Sequence, residues 1–229
     1  IINQPYRGPE VPLRFRYQTF EFGERDVHLR TLRDNQQYLD SEDVAFDLGI
    51  TSANWSLFGI VWDSSQVLAH FMSDFSISGK RILEVGCGMA LSSHLLSQRR
   101  ADITATDYHP EAEAFLQENV ALNGGRNIPF IRSDWNDASS GLGKFDLIIG
   151  SDILYEAEHC NLLADFIELH ALVHCEVIIV DPGRKKHARF SKKMVSLGFS
   201  HEQRQALQGD YLENPFQGVI LRYQRSPCR

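Results

Sequence analysis

From residue 81 onward the chain alternates between two periodicities. Short apolar runs fall at 81–85, in ITATD at 103–107, in PFIRSD ending at Asp134, in FDLIIGSD at 145–152 and in EVIIVD at 176–181. Between them apolar positions recur three and four apart, which predicts helices over about 90–99, from Pro110 to about Asn123, over 158–172 and over 187–197. Pro110 suits a helix start, and Gly124-Gly125 a helix stop. Strand and helix in alternation at these lengths predict a doubly wound, mostly parallel sheet covered on both faces. After Gly198 the helices cease. Residues 199–207 and 218–225 read as two strands joined by a loop holding Gly209, Asn214 and Pro215, and without a crossover they must pair antiparallel. The expected fold is therefore α/β, with seven strands and a C-terminal antiparallel hairpin.

Upstream of residue 81 the pattern differs. Phe15, Tyr17 and Thr19 alternate with polar residues, Gly23-Glu24 marks a turn, and Val27, Leu29 and Thr31 alternate again, which predicts a β-hairpin over 14–32. Ser41-Glu42-Asp43 suits the acidic start of a short helix. Val67, Leu68, Phe71, Met72 and Phe75 recur at helical spacing behind a cap at Asp63 or Ser64, with Trp62 just ahead. Residues 1–50 thus form an N-terminal hairpin extension and residues 51–229 the main domain.

Charge narrows the classes of partner. The net charge of −7 conceals an asymmetry, since ten of the 23 basic residues but three of the 30 acidic ones follow residue 181. An acidic body argues against nonspecific nucleic-acid binding as the main activity. The basic cluster Arg184, Lys185, Lys186, Arg189, Lys192, Lys193 reads as a solvated helix face. No apolar run approaches the length of a membrane span. The four cysteines (Cys87, Cys160, Cys175, Cys228) show no metal-ligand spacing and read as thiols in a reducing cytoplasm, so no metal is expected. A start at Ile1 in place of Met points to a trimmed chain, with room for a removed leader.

The chemistry gathers at strand ends. In RILEVGCGMA, residues 81–90, a buried strand runs into Gly86 and Gly88 and then a helix, an arrangement suited to bringing backbone close to a nucleotide. Ligands of such sheets sit outside the carboxyl ends of the strands. There the sequence places Glu84 and Gly86, then Asp107, then Asp134-Trp135, then Ser151-Asp152, then Asp181. Asp107 lies 21 residues past Gly86, which suits a carboxylate accepting from ribose hydroxyls. A pyrophosphate would be repelled by acids lining one cleft, whereas a cofactor bearing a sulfonium and an ammonium would be attracted. S-adenosyl-L-methionine (SAM) has both.

ILEVGCGMA, TATDYHP, SDW and FDLIIGSDILYE together resemble the signature blocks of class I SAM-dependent methyltransferases. Within that superfamily they resemble the methyltransferase-16 branch, rich in protein-lysine methyltransferases, over about residues 55–225. The resemblance implies a Rossmann-like methyltransferase fold and a SAM cofactor. It also implies that Gly86 and Gly88 face the methionine part, that Glu84 helps fix that end, and that Asp107 holds the ribose with Tyr108 beside the adenine. Asp134 would bond the adenine amine with Trp135 flanking it, Trp62 would pack on the cofactor, and Ser151 would stand at the fourth strand end. Ala90 departs from the glycine often found there.

The expected activity is N-methylation of a lysine side chain on a protein substrate. Asp152 and Tyr155 are the catalytic candidates, Asp152 drawing in the ammonium and Tyr155 lining the channel through cation–π contact. The alternatives are a small-molecule N- or O-methyltransferase with the same cofactor, a nucleotide-binding oxidoreductase, and a catalytically silent binding module. An RNA substrate is disfavoured because the fourth strand ends in SDILY instead of an N-P-P-Y-type motif.

Overall fold

In a computed structural model that describes residues 12–137, 141–154, 159–184, 186–206 and 209–226, the alternating segments form one seven-stranded sheet. Its strands are β3 (Arg81–Val85), β4 (Asp102–Asp107), β5 (Phe130–Arg132), β6 (Phe145–Ser151), β7 (Ala171–Asp181), β8 (Ser200–Gln205) and β9 (Val219–Arg225), in the order β5-β4-β3-β6-β7-β9-β8. β5 through β7 are parallel neighbours, and β9 pairs antiparallel with both β7 and β8. The chain therefore reverses its winding between β3 and β6, and the crevice of an open α/β sheet lies at such a point.

The even and odd positions of the central strands go to opposite faces. Leu83, Val85, Ile148, Val177 and Ile179 pack with α6 (His159–His170) and α7 (His187–Ser196). Ile82, Ile103, Leu147, Ile149, Ile178 and Val180 pack with α3 (Asp63–Asp74) and with Leu96 of α4 (Leu91–Gln98). A strand buried on both faces must be apolar at consecutive positions, which is why β6 and β7 read as unbroken runs. Each such Ile or Val side chain contributes roughly 1.5–3 kcal/mol on burial. β8 lies at the edge and is exposed at every residue, SHEQRQ, polar throughout as an unpaired edge requires.

Several boundaries differ from the sequence expectation. β5 has three residues and stops before Asp134, which stands in the loop beyond it. β7 begins at Ala171, directly after α6, instead of at 176. Trp62 itself is the N-cap of α3, with no side-chain cap bond, and Asp63 takes the first turn where an acid favours the helix dipole. The short helix α1 (Val44–Asp47) does follow Ser41-Glu42-Asp43, but Asp40 supplies the capping carboxylate, accepting from the Ala45 and Phe46 amides at 3.1 and 2.9 Å.

The N-terminal hairpin, β1 (Phe15–Phe22) and β2 (Arg25–Leu32), is a separate two-stranded sheet. Two-stranded ribbons are marginal alone, and this one is secured in two ways. Phe20, Phe22, Val27, Leu29 and Leu32 join a cluster with Leu91, Leu95 and Phe115. On the outer edge of β2, Asn119 and Asn123 of α5 (Ala112–Leu122 and its C-cap) stand in for a third strand. Asn119 accepts from the Arg30 amide at 2.7 Å and donates to the Arg30 carbonyl at 3.2 Å. Asn123 does the same for His28, at 2.9 and 2.7 Å. The i, i+4 spacing puts both carboxamides on one helix face, matched to alternate residues of the strand.

Asn119→Ala strips both partners from Arg30 at a fully buried position. It should lower the unfolding free energy by about 1–3 kcal/mol in urea denaturation and speed amide exchange at Arg30. An unchanged midpoint with unchanged exchange would contradict the strand-substitute role.

Candidate active site

The glycine turn after β3 is built around two carboxylates. Glu84 points from β3 toward α4 and is 2% exposed. Its Oε2 accepts from the Ser93 amide at 2.9 Å and from the Ser93 hydroxyl. Ser93 is in the first turn of α4, so the carboxylate meets an otherwise orphaned N–H at the positive end of the helix. Burial still dominates: it pushes the Glu84 carboxyl from 4.5 up to about 7, against the two Ser93 bonds that lower it and with a smaller upward push from Asp107.

Asp107, at the end of β4, spans the turn. Its Oδ2 accepts from the Gly88 amide at 2.7 Å and its Oδ1 from the His109 amide at 2.9 Å. Burial raises this carboxyl too, and the amide bonds oppose the shift. His109 is stacked on Phe58 with ring centroids 3.9 Å apart, and burial lowers it to about 4, so it is neutral at pH 7.

The turn has no slack. Gly86 and Gly88 lie at φ 60° and 50°, and Ala90 follows at 54°, a left-handed position held by a non-glycine residue. A Cβ on Gly86 would sit 2.7 Å from the Ile153 side chain, and one on Gly88 3.1 Å from the Phe58 carbonyl oxygen. Gly150, paired with Val85 across β3 and β6, would put a Cβ 2.7 Å from the same Ile153. Ile153 is thus a plug between two strand ends at the point where the winding reverses, and it requires glycine on both sides.

Of the residues expected from sequence, Glu84, Gly86, Gly88 and Asp107 come together in this turn. Tyr108 is 37% exposed, and its hydroxyl donates to the Leu48 carbonyl at 2.8 Å, tying the end of β4 to the loop after α1. Asp134 is exposed and accepts from the Asn136 amide at 2.9 Å. Trp135 packs against the α6-side cluster and meets His159 edge-on. Ser151 ends β6 half-buried. Trp62 and Asp152 line one cleft of about 520 Å³, together with Ser64, Arg184, Pro215 and Phe216. Trp62 Nε1 donates to the Leu57 carbonyl at 3.0 Å, which fixes the indole. Tyr155 lies outside the described residues.

Arg184 was not a candidate from sequence, because it opens a basic run that reads as a helix face. It lies before α7, in a turn after β7, and its Nε and Nη2 donate to Asp152 Oδ1 and Oδ2 at 2.6 and 2.8 Å. The Pro-Gly pair ahead of it, at 182–183, is the signal that separates it from the helix.

The fold is that of the class I methyltransferases. The magnesium protoporphyrin IX methyltransferase of Synechocystis PCC 6803, solved with bound SAM, superposes with a TM-score of 0.55 at 24% identity, over 69% of this chain and 76% of that one. The chain belongs to the lysine methyltransferase family, whose sequence profile matches residues 45–196. It is 30% identical to the protein N-lysine methyltransferase METTL21A of Danio rerio over 127 residues, 51% of this chain and 58% of that protein. It is 31% identical to the electron transfer flavoprotein beta subunit lysine methyltransferase of Xenopus laevis over 140 residues, 59% of this chain and 55% of that protein. The chain thus spans little more than half the length of these curated relatives.

The Glu84 shift gives a pH signature. A carboxyl that holds its proton more tightly folded than unfolded makes stability greatest below about 4.5 and lets it decline as pH rises toward about 7. Glu84→Gln removes that decline. Relative to wild type, the variant should gain about 3 kcal/mol in unfolding free energy across the window, read by urea denaturation at each end. Parallel pH dependences in the two proteins would show that Glu84 is ionised throughout.

Proposed function

We propose that this chain transfers a methyl group from SAM to a lysine side chain of a protein. The observation that carries the reading is how the glycine turn spends its donors. The amides of Cys87, Gly88 and Ala90 go to the Thr106 carbonyl, Asp107 and the Cys87 carbonyl, and the Ser93 amide goes to Glu84. A phosphate cradle needs such amides open. Here those four are closed, beside the buried Glu84 and the half-buried Asp107, which favours a cofactor that carries positive charge and no phosphate. Family membership points to the same cofactor and to lysine as acceptor.

The residues present fit that cofactor. Gly86 and Gly88 give close backbone approach, Asp107 and Tyr108 border the ribose and adenine end, Asp134 and Trp135 stand at the next strand end, Ser151 ends β6, and Trp62 lines the cleft. When bound, SAM supplies a methyl group on a sulfonium, a good leaving group. The chain then has to align the acceptor and exclude water, for which proximity alone supplies roughly 7–11 kcal/mol. The acceptor must also arrive without its proton, from a reference pKa of about 10.4. Asp152 attracts the ammonium at the mouth of the cleft. The partner is a protein bearing the target lysine, and no metal is called for. Cys87 and Cys175 are buried thiols, in keeping with activity in the cytoplasm.

Asp152→Ala should lower methyl transfer roughly 10²-fold or more while S-adenosylhomocysteine (SAH) binding is retained. The assay uses radiolabelled methyl donor on cell extract divided into protein and metabolite fractions. Label in protein, at lysine, supports the reading. Label confined to metabolites would point to a small-molecule acceptor, and full activity in Asp152→Ala would remove Asp152 from the site.

A further inference from the structure

We propose that Arg184 is an internal stand-in for the acceptor's cation, occupying Asp152 until a primary alkylammonium displaces it. It is thereby a specificity-determining residue of the cleft. The proposal rests on the reading of Asp152 as the acceptor-facing acid, and it is argued from four features of the site.

First, both oxygens of Asp152 are taken by one guanidinium in a fork, Nε to Oδ1 at 2.6 Å and Nη2 to Oδ2 at 2.8 Å. This is the geometry of the strongest charge-assisted pairs. Second, both partners are held by their backbones. Asp152 stands at φ 54°, a left-handed conformation sustained by its amide donating to the Val180 carbonyl at 2.9 Å. The Arg184 turn is tied by Asp181, 1% exposed, whose Oδ1 accepts from the Gly183 and Arg184 amides at 2.8 and 3.1 Å. A strained residue and a dedicated turn are not needed for a surface ion pair, which contributes little to stability.

Third, exposure is unequal. The Arg184 side chain is 46% exposed and that of Asp152 13%. Of the two, the guanidinium is the partner that water can solvate on separation, while the carboxylate stays where it is and needs a replacement cation. Fourth, the pair opens onto the cleft of about 520 Å³, walled by Trp62 and Phe216. That volume falls within the range of small-ligand sites, roughly 300–1,000 Å³. An apolar stem ending in one positive charge matches these walls and this carboxylate.

Selectivity follows from the exchange. A neutral hydroxyl or amide brings no charge to replace the guanidinium, so it would leave Asp152 unpaired and half-desolvated, which is costly. An alkylammonium does replace it, restoring a charge pair at Asp152, and the exchange reverses when the alkylammonium leaves. Arg184 thereby rejects neutral acceptors without contributing any bond to the correct one.

The test is a binding competition that needs no turnover. n-Butylammonium is titrated into the wild-type protein while the Arg184 Nε–H resonance is followed by NMR, with n-butanol and matched sodium chloride as controls. The expected result is a saturable movement of that resonance with n-butylammonium only. Arg184→Gln, which removes the internal competitor, should bind n-butylammonium roughly tenfold more tightly than wild type, and Arg184→Lys should fall between. The proposal is overturned if the resonance does not respond, if n-butanol or salt moves it equally, or if a folded Arg184→Gln binds no more tightly. The wild-type titration decides the matter even if that variant does not fold. Because nothing is methylated in the experiment, a positive result alongside an absence of protein methylation would count against the proposed function and not against the exchange.

Discussion

Two acids wired into a glycine turn, one buried and one half-buried, are the constraint on which this structure depends. Glu84 ties β3 to the start of α4, and Asp107 ties the end of β4 to the turn between them. Each satisfies an amide that the turn would otherwise leave orphaned, and each is held in a place that disfavours its own charge. An isolated buried carboxylate is costly. Here the cost is offset by the peptide N–H groups that receive it and by the positive end of a helix. The same pairing settles the chemistry of the turn, since amides spent on internal carboxylates are not offered to phosphate.

Steric constraints carry that local wiring outward. Gly86 and Gly150 leave the gap that Ile153 fills, and Asp152, the residue before it, lines the cleft with its amide on the Val180 carbonyl. On the other side Gly88 lies against the Phe58 carbonyl, and Gly59, next along, lies against Leu32 of the N-terminal hairpin. The hairpin therefore reaches the glycine turn both through the short 3-10 segment Ser56–Gly59 and through Leu91 at the start of α4. Asn119 and Asn123 fasten its outer strand to α5.

The centre of the sheet was legible in the sequence because β6 and β7 are buried on both faces, so Leu147–Ile149 and Val177–Val180 are unbroken apolar runs. The antiparallel end was legible for the opposite reason, the lack of any helix between two strands. Boundaries were less so. β7 extends back to Ala171 because Leu172 and Val173 continue the strand with little burial, and no periodicity records an exposed apolar stretch. Asn119 and Asn123 carry no signal of strand mimicry, since two asparagines four apart on a helix acquire that meaning only when an edge strand arrives beside them.

The site shows the same division. Glycines and acids at strand ends marked the turn, because position along the strand determines who can reach the crevice. Which way each acid points was not legible. Glu84 alternates onto the helix face of the sheet, and Asp107 folds back over the turn, so both serve the backbone directly. Arg184 escaped because its partner, Asp152, is 32 residues away, beyond the end of the neighbouring strand.

This turn should accept a phosphate-free nucleoside cofactor and reject a dinucleotide. Thermal unfolding followed with SAH and, separately, with NAD at equal concentration tests it most directly. SAH at about a hundredfold over its Kd should stabilise the protein by about 3 kcal/mol, and NAD should leave the transition unmoved. Stabilisation by NAD with none by SAH would contradict the account.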